Sequence, residues 1–288
     1  MKTGYIAIIG EPNVGKSTLF NRLIGTKLSV VSKKPQTTRN RILGILTENG
    51  YQCCFLDTPG IISPEYPLQE SMVSQIRTAV EDSDILIWMT DPWFKQKNFP
   101  KNLIKQARRK QIIAVINKVD LIQKSALLPV IEQIKELGIK DIIPTSAIKG
   151  DGISVLKETI FRVLPEGPFL YPEEDLSDSP ERFFVAEIIR EKIFEHFKEE
   201  IPYSTCVIIE EYKEREQGKD FIRAAIYVEK DSQKGIIIGK KGAALKRIGA
   251  TARREIENLT GHSVYLDLWV KVKEKWRKDK KFLKEIGY

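Results

Sequence analysis

Apolar and polar residues alternate along residues 3–165 in the pattern of a βα-repeating fold. Short apolar runs predict strands, and stretches with a single apolar face predict the helices between them. Asn49-Gly50 predicts a two-residue hairpin, so one strand pair is expected to be antiparallel. We therefore expect an α/β domain with a mixed, mainly parallel sheet. The predicted strands cover residues 5–9, 41–47, 52–57, 85–91, 112–117 and 141–145, and the predicted helices cover 16–24, 68–81, 99–110, 125–137 and 152–163.

A second domain is expected after a stretch rich in proline, acidic residues and serine. We predict a linker over 168–179, which separates a domain over 1–167 from a domain over 180–288. In the second domain the predicted helices and strands do not alternate regularly, and their order indicates an α+β fold. Its predicted elements are a helix over 180–198, strands over 204–213 and 221–229, a helix over 243–258, a strand over 263–272 and a basic helical tail.

Composition agrees with a two-domain globular protein. The chain has 288 residues, of which 42% are hydrophobic and 30% charged. Its longest apolar runs are far too short to cross a bilayer, and we expect no leader before the first strand. Three cysteines, with Cys53 and Cys54 adjacent, are an awkward set for disulfides and predict a reducing cytoplasm.

The net charge of +8 is unevenly distributed. Residues 166–231 carry 9 basic and 18 acidic side chains, whereas residues 232–288 carry 15 basic and 6 acidic ones. A basic tract behind an acidic stretch is typical of a localised site for a polyanion such as nucleic acid.

The residues from Gly10 to Ser17, GEPNVGKS, match the phosphate-loop pattern G-x-x-x-x-G-K-[ST]. The match lies between a predicted strand and a predicted helix, where backbone N–H groups and the helix N-terminus point at a phosphate. Lys16 is expected at the β- and γ-phosphates, and the Ser17 hydroxyl at Mg²⁺. The loop residues assigned to nucleotide are Gly10, Glu11, Pro12, Asn13, Val14, Gly15, Lys16, Ser17 and Thr18.

Three further motifs indicate that the nucleotide is GTP. Asp57-Thr58-Pro59-Gly60 ends a strand, where Asp57 can reach Mg²⁺ through water and the Gly60 N–H can sense the γ-phosphate. In Asn117-Lys118-Val-Asp120, the carboxylate can accept from N1–H and the amine of guanine, which adenine does not offer. Ser146-Ala147 suits backbone contact to the guanine oxygen. This set disfavours a nucleotide kinase.

A glycine-rich loop in the basic tract predicts an RNA site. Ile238-Gly239-Lys240-Lys241-Gly242, followed by a helix with Lys246 and Arg247, resembles the GxxG loop of a type II KH domain. The glycines let backbone approach a single strand, and the lysines attract phosphates. Trp269 and Trp276 are expected to pack on the domain.

Together these motifs resemble the Era family within the translation-factor-related GTPases, over essentially the whole chain. The resemblance implies Mg²⁺-dependent GTP hydrolysis, binding of single-stranded small-subunit ribosomal RNA, and a role in assembly of the small ribosomal subunit. It also implies a cytoplasmic location with peripheral membrane association. In that family a threonine of the first switch loop, which matches residues 34–39 here, binds Mg²⁺. The matching residue here is Thr38, or else Thr37, because spacing does not separate them.

Ile61 occupies the position that holds a water-orienting glutamine in many small GTPases, so slow intrinsic hydrolysis is expected. By resemblance, Asn13 would hold K⁺ beside the phosphates, and the predicted catalytic set is Asn13, Lys16, Thr38 and Gly60. The alternative hypothesis is an RNA clamp in which GTP is mainly structural.

Overall fold

The computed structural model describes residues 1–32, 34–107 and 109–288. Their contacts divide the chain into two compact units. Unit 1 comprises Met1–Pro64 and Gln69–Asp178, and unit 2 comprises Glu65–Leu68 and Ser179–Tyr288.

Unit 1 is built on a six-stranded sheet in the order β2-β3-β1-β4-β5-β6, in which only β2 runs antiparallel to its neighbour among the described strands. The predicted mixed α/β fold is confirmed. The strands are β1 (Lys2–Gly10), β2 (Ile42–Glu48), β3 (Tyr51–Asp57), β4 (Ile85–Thr90), β5 (Gln111–Ile116) and β6 (Asp141–Pro144). The helices are α1 (Lys16–Ile24), α2 (Pro67–Asp82), α3 (Lys101–Gln106), α4 (Leu128–Glu136) and α5 (Ile153–Val163).

The hairpin between β2 and β3 forms at Asn49 and Gly50, whose φ angles are +52° and +79°. A turn with both central residues in the left-handed region matches the twist of the strands it joins. Parallel strands then bring the C-terminal ends of β1, β3, β4 and β5 to one edge of the sheet, where ligands bind in such folds.

Two helices differ from their predicted extents. The predicted helix over 99–110 is α3, Lys101–Gln106, preceded by a 3₁₀ turn at Gln96–Asn98, and its predicted span includes position 108, which lies outside the described residues. Pro100 precedes α3, and a proline disfavours helical backbone at the residue before it. The predicted helix over 125–137 begins as a 3₁₀ turn, Lys124–Leu127, and continues as α4.

The chain after α5 runs along the free edge of β2. The Ile45 N–H donates to the Leu176 carbonyl oxygen at 2.9 Å, and the Ser177 hydroxyl donates to that of Leu43 at 2.6 Å. Gln52 Oε1 accepts from the backbone N–H groups of residues 170 and 171. Residues 170–177, within the predicted linker, are therefore hydrogen-bonded to the sheet of unit 1.

Unit 2 has helices packed on a three-stranded sheet in the order β7-β8-β9, with β7 antiparallel and β9 parallel to β8. Alternate residues of β8, including Ile222, Ala224 and Ile226, are fully buried against Val185 of α6 and Ile248 of α8. Its elements are α6 (Glu181–His196), β7 (Cys206–Lys213), β8 (Asp220–Val228), α7 (Asp231–Ile238), α8 (Ala243–Thr260), β9 (Val264–Val272) and α9 (Lys280–Glu285).

Candidate nucleotide site and nucleic-acid surface

The phosphate loop joins β1 to α1 and is folded tightly around the Lys16 ammonium. Lys16 Nζ donates to the carbonyl oxygens of Gly10 at 3.0 Å and Glu11 at 2.9 Å. Burial lowers the pKa of Lys16 to about 8, because the interior disfavours the charged form. An anionic phosphate beside the ammonium would raise that pKa again and replace the carbonyl contacts.

A Cβ atom would be crowded at two glycines that line the phosphate loop and its neighbour. Gly15 has φ +101°, and a Cβ there would lie 2.4 Å from Asn117 Nδ2. A Cβ on Gly60 would lie 2.8 Å from the ring of Pro12. These contacts leave a pocket beside the loop whose lining includes Pro12, Asn13, Gly15, Lys16, Ser17, Thr18, Thr37, Thr38 and Gly60.

Oxygen atoms from three elements converge on Asp57 at the end of β3. Ser17 Oγ donates to Asp57 Oδ2 at 2.7 Å and lies 2.9 Å from the Thr38 hydroxyl. Because the single Ser17 hydroxyl proton goes to Asp57, Thr38 is the donor in the second contact. Thr37 instead donates to the carbonyl oxygen of Lys34 at 2.8 Å. Of the two candidate threonines, Thr38 is the one beside Ser17 and Asp57.

The second carboxylate oxygen of Asp57 is placed for a cation. Asp57 Oδ1 is buried and has no hydrogen-bond partner within residues 1–32, 34–107 and 109–288. Burial raises the pKa of Asp57, which a divalent cation would reverse. Two hydroxyls and a carboxylate are the hard oxygen ligands that Mg²⁺ prefers, so the Ser17, Thr38 and Asp57 side chains fit Mg²⁺.

Ser29 also belongs to this cluster, although it was not predicted as a site residue. The Ser29 hydroxyl is buried and donates to Asp57 Oδ2 at 2.7 Å. Its backbone N–H donates to Asn21 Oδ1 at 2.9 Å, which ties it to α1. A lone serine before the switch loop carries no motif, so only the structure reveals it.

Asn117 links the phosphate loop to the loop after β6. Its Nδ2 donates to the Val14 carbonyl oxygen at 2.8 Å, and its Oδ1 accepts from the Ala147 N–H at 2.8 Å and the Thr145 hydroxyl at 3.2 Å. The Ala147 N–H, predicted to contact guanine, thus donates to Asn117 in this structure. Ser146 is fully buried beside it.

Asp120 lies half-buried in a 3₁₀ turn, and within the part of the chain that the structure describes its carboxylate has no hydrogen-bond or ion-pair partner. The preceding Lys118 has φ +63°, and its ammonium lies 3.6 Å from Asp91 Oδ2.

The turn after β3 is fixed by two hydrogen bonds. Thr58 is fully buried, and its hydroxyl donates to the Ile8 carbonyl oxygen at 2.7 Å, which holds the turn before Pro59. The Ile61 N–H donates to the Gly10 carbonyl oxygen at 3.0 Å.

The GxxG loop of unit 2 lies between α7 and α8. Gly239 and Gly242 have φ angles of +72° and +77°, and a Cβ on Gly239 would lie 2.7 Å from the Ala244 Cβ. Lys240 and Lys241 are exposed at the tip, and Ile238, which is half-buried, ends α7 below them.

The cations beside this loop are exposed to solvent. Lys240, Lys241, Lys246 and Arg247 have no ion-pair partner in the described residues, whereas Arg253 lies 3.8 Å from Glu257. Four unpaired cations beside a bare backbone form a surface suited to phosphates.

The two tryptophans behave differently. Trp276 is fully buried and donates to the Ser204 carbonyl oxygen at 2.8 Å, as expected. Trp269 was expected to pack but is 54% exposed, and its indole donates to Asp267. It alternates to the outer face of β9, away from the helices.

Comparison with known proteins supports a GTPase domain and a KH domain. A family model described as "50S ribosome-binding GTPase" matches residues 5–118, and a KH-domain model matches residues 200–277. "GTPase Era" of Lactobacillus helveticus is 47% identical over 290 residues, covering 100% of this chain and 96% of the relative. That of Carboxydothermus hydrogenoformans is 45% identical over 292 residues, covering 100% and 98%.

The chain belongs to the Era family of GTPases. It therefore binds and hydrolyses GTP.

Solved Era structures have the same fold over the whole chain. A crystal structure of an Aquifex aeolicus Era variant bound to GDP and AlF4⁻ is 42% identical, with a TM-score of 0.96 and coverage of 100% and 99%. A structure of Era with MgGDPNP and nucleotides 1506–1542 of 16S ribosomal RNA is 43% identical, with the same TM-score and coverage. Within the described residues of this Era-family chain, no helix has the length and hydropathy that crossing a membrane requires.

Proposed function

We propose that this Era-family GTPase is a molecular switch that binds single-stranded RNA of the small ribosomal subunit and acts in assembly of that subunit. The observation that carries the switch is the convergence of Ser17, Thr38 and Asp57. These three side chains belong to the phosphate loop, the first switch loop and the end of β3, and they meet through hydrogen bonds of 2.7 and 2.9 Å. A cation held there would connect the switch loop to the nucleotide.

We propose Ser17, Thr38 and Asp57 as the residues that hold Mg²⁺, with Asp57 acting directly or through water. When bound, Mg²⁺ neutralises charge on the β- and γ-phosphates. The Lys16 ammonium adds a second charge, and the Gly60 N–H faces the γ-phosphate. Asn13, which has φ +64°, is proposed to hold K⁺ beside the same phosphates.

Guanine recognition is proposed for the loop ends that Asn117 connects. The unpaired Asp120 carboxylate can accept from guanine N1–H and from its exocyclic amine. Lys118 flanks the base, and the Ala147 N–H can turn from Asn117 to the guanine oxygen. The remaining proposed nucleotide contacts are Gly10, Glu11, Pro12, Val14, Gly15, Thr18, Thr58, Pro59 and Ser146.

RNA binding is proposed for the loop from Ile238 to Gly242, extended by Lys246 and Arg247. The unpaired cations on this surface support it, and so does the relative solved with a segment of 16S ribosomal RNA. We assign the GTPase domain to residues 1–167 and the KH domain to 180–288, with 168–179 between them. We also propose a cytoplasmic location with peripheral association at the inner face of the membrane, which fractionation of cells at low and high salt would test.

The second candidate function is a clamp on RNA in which GTP is mainly structural. The observation that favours it is Ile61, which follows Gly60 and has no side-chain group to orient water. The two functions differ in whether RNA and nucleotide influence each other.

The test is GTP turnover by the full chain with and without a single-stranded oligonucleotide matching the 3′ end of 16S ribosomal RNA. A switch changes its turnover when RNA binds, and its RNA affinity differs between GDPNP and GDP. The variant Ser17→Ala should lose the nucleotide effect and keep RNA binding. Equal GTP turnover with and without bound RNA would favour the clamp. If the chain does not bind the oligonucleotide, both candidate functions are excluded.

A further inference from the structure

A second open site on unit 1 lies between α2 and α3. This groove has a volume of about 1190 Å³. Its apolar lining, called the floor below, consists of the half-buried Ile61, Ile62, Val73, Phe99 and Leu103 and the buried Ile76. It is separate from the pocket at the phosphate loop.

The rim of the groove is positively charged. Arg77, Lys97, Lys101 and Lys105 line it, and no acidic side chain does so within residues 1–32, 34–107 and 109–288. All four are exposed, and none has an ion-pair partner among those residues. Four unpaired cations around an apolar floor fit an occupant that carries both acidic and apolar side chains.

The groove is connected to the nucleotide site at two points. The Ile61 N–H donates to the Gly10 carbonyl oxygen at 3.0 Å. Asn98, beside Lys97, donates from Nδ2 to Glu11 Oε2 at 3.2 Å. Gly10 and Glu11 belong to the phosphate loop, so these two hydrogen bonds join the groove wall to that loop. Any coupling carried by them would be reciprocal between the groove and the nucleotide site.

We propose that this groove docks an acidic amphipathic protein segment, and that docking is linked to the bound nucleotide. The floor favours protein over RNA, because aliphatic side chains offer no stacking surface for bases and Phe99 is the only aromatic among the described lining residues. The inference rests on the proposed function, because the segment is taken to belong to a protein of the small ribosomal subunit.

The experiment measures binding of the full chain, loaded with GDPNP, to purified small ribosomal subunits, to protein-free 16S ribosomal RNA and to the 3′ oligonucleotide. The test variant is Lys101→Glu with Lys105→Glu. The matched control is Lys135→Glu with Lys140→Glu, which changes the charge equally at exposed positions of unit 1 outside the groove. A second test variant, Val73→Ser, removes apolar surface without changing charge.

We expect both test variants to bind subunits about tenfold more weakly than the control. For the charge variant, this difference in affinity should become smaller at high salt, whereas for Val73→Ser it should not. Affinity for protein-free RNA and for the oligonucleotide should be unchanged. Asn98→Ala should reduce the ratio of subunit affinities between the GDPNP and GDP forms.

Several results would overturn the proposal. If the test and control charge variants bind subunits with equal affinity, the groove does not contribute to subunit binding, while the proposed function would stand. An equal loss on protein-free RNA would show that RNA occupies the rim. If the wild-type chain binds neither subunits nor RNA, the proposed function fails, and a docking site for a subunit protein fails with it.

Discussion

Arg22 of α1 donates from Nε to the carbonyl oxygen of Ala147 at 3.1 Å and from Nη2 to that of Ile148 at 2.5 Å. Its guanidinium thus connects the helix that begins at the phosphate loop with the loop after β6, which we propose contacts the base. Lysine cannot reproduce this two-bond geometry. Arg22 belongs to no sequence motif and was not predicted as a site residue.

Arg22→Lys should weaken GDP and GTP binding about fivefold, as expected for the loss of about 1 kcal/mol at a partly exposed hydrogen bond. Faster dissociation of a fluorescent GDP analogue should account for the change, and the turnover rate at saturating GTP should be nearly unchanged. Arg254→Lys, at an exposed position of α8, is the control. Unaltered GDP dissociation in Arg22→Lys would show that the base loop is held by other contacts.

Nucleotide binding should take up protons at mildly alkaline pH. Burial lowers the pKa of Lys16 to about 8 in the chain without nucleotide, and a triphosphate raises it. Proton uptake on GDPNP binding should therefore increase as pH rises through 8, and nucleotide affinity should fall over the same range. Calorimetry in buffers of different ionisation enthalpy measures this. Constant uptake across that range would mean that Lys16 stays charged in the free chain.

Asp120→Asn should move base preference from guanine towards xanthine. The amide loses one acceptor for guanine and gains a donor for the C2 oxygen of xanthine. We expect GTP affinity to fall by about 2–3 kcal/mol and XTP affinity to rise. Competition between GTP, XTP and ATP for the nucleotide site measures the change. An unchanged order of affinities would place Asp120 outside the base site.

Hydrolysis should be faster in potassium than in sodium at matched ionic strength. A monovalent cation at Asn13 would offset charge that develops on the phosphates, as an arginine finger does. Asn13→Ala should abolish the difference between the two salts and leave GDP affinity nearly intact. Single-turnover rates provide the measurement, and equal wild-type rates in both salts would point to a helper group from RNA or the ribosome.

Replacing both Lys240 and Lys241 by Glu should weaken RNA binding regardless of sequence. Each phosphate of a single strand that is no longer neutralised should lower the slope of log affinity against log salt by about 0.7. Lys281→Glu with Lys284→Glu, exposed positions of α9, makes the same change in charge away from the loop. If both double variants show wild-type slopes, the GxxG loop does not bind phosphate.

Motifs that recur at fixed spacing were predictable, and the hydrogen bonds that hold them were not. The order of apolar strands predicted the sheet, and Asn49-Gly50 predicted the antiparallel pair, because both depend on local pattern. Spacing could not choose between Thr37 and Thr38, since their separation in space depends on how the switch loop turns. Ser29 and Arg22 act through partners 28 and 125 residues away, which no local pattern encodes.

The segment at residues 170–177 has a practical meaning for anyone who dissects this protein. β2 is an edge strand, and an uncovered edge invites pairing with a second molecule. The bonds from Ile45 to Leu176 and from Ser177 to Leu43 block that edge. A fragment cut at residue 167 would expose it and be prone to self-association, whereas one cut after residue 178 carries its own protective cover.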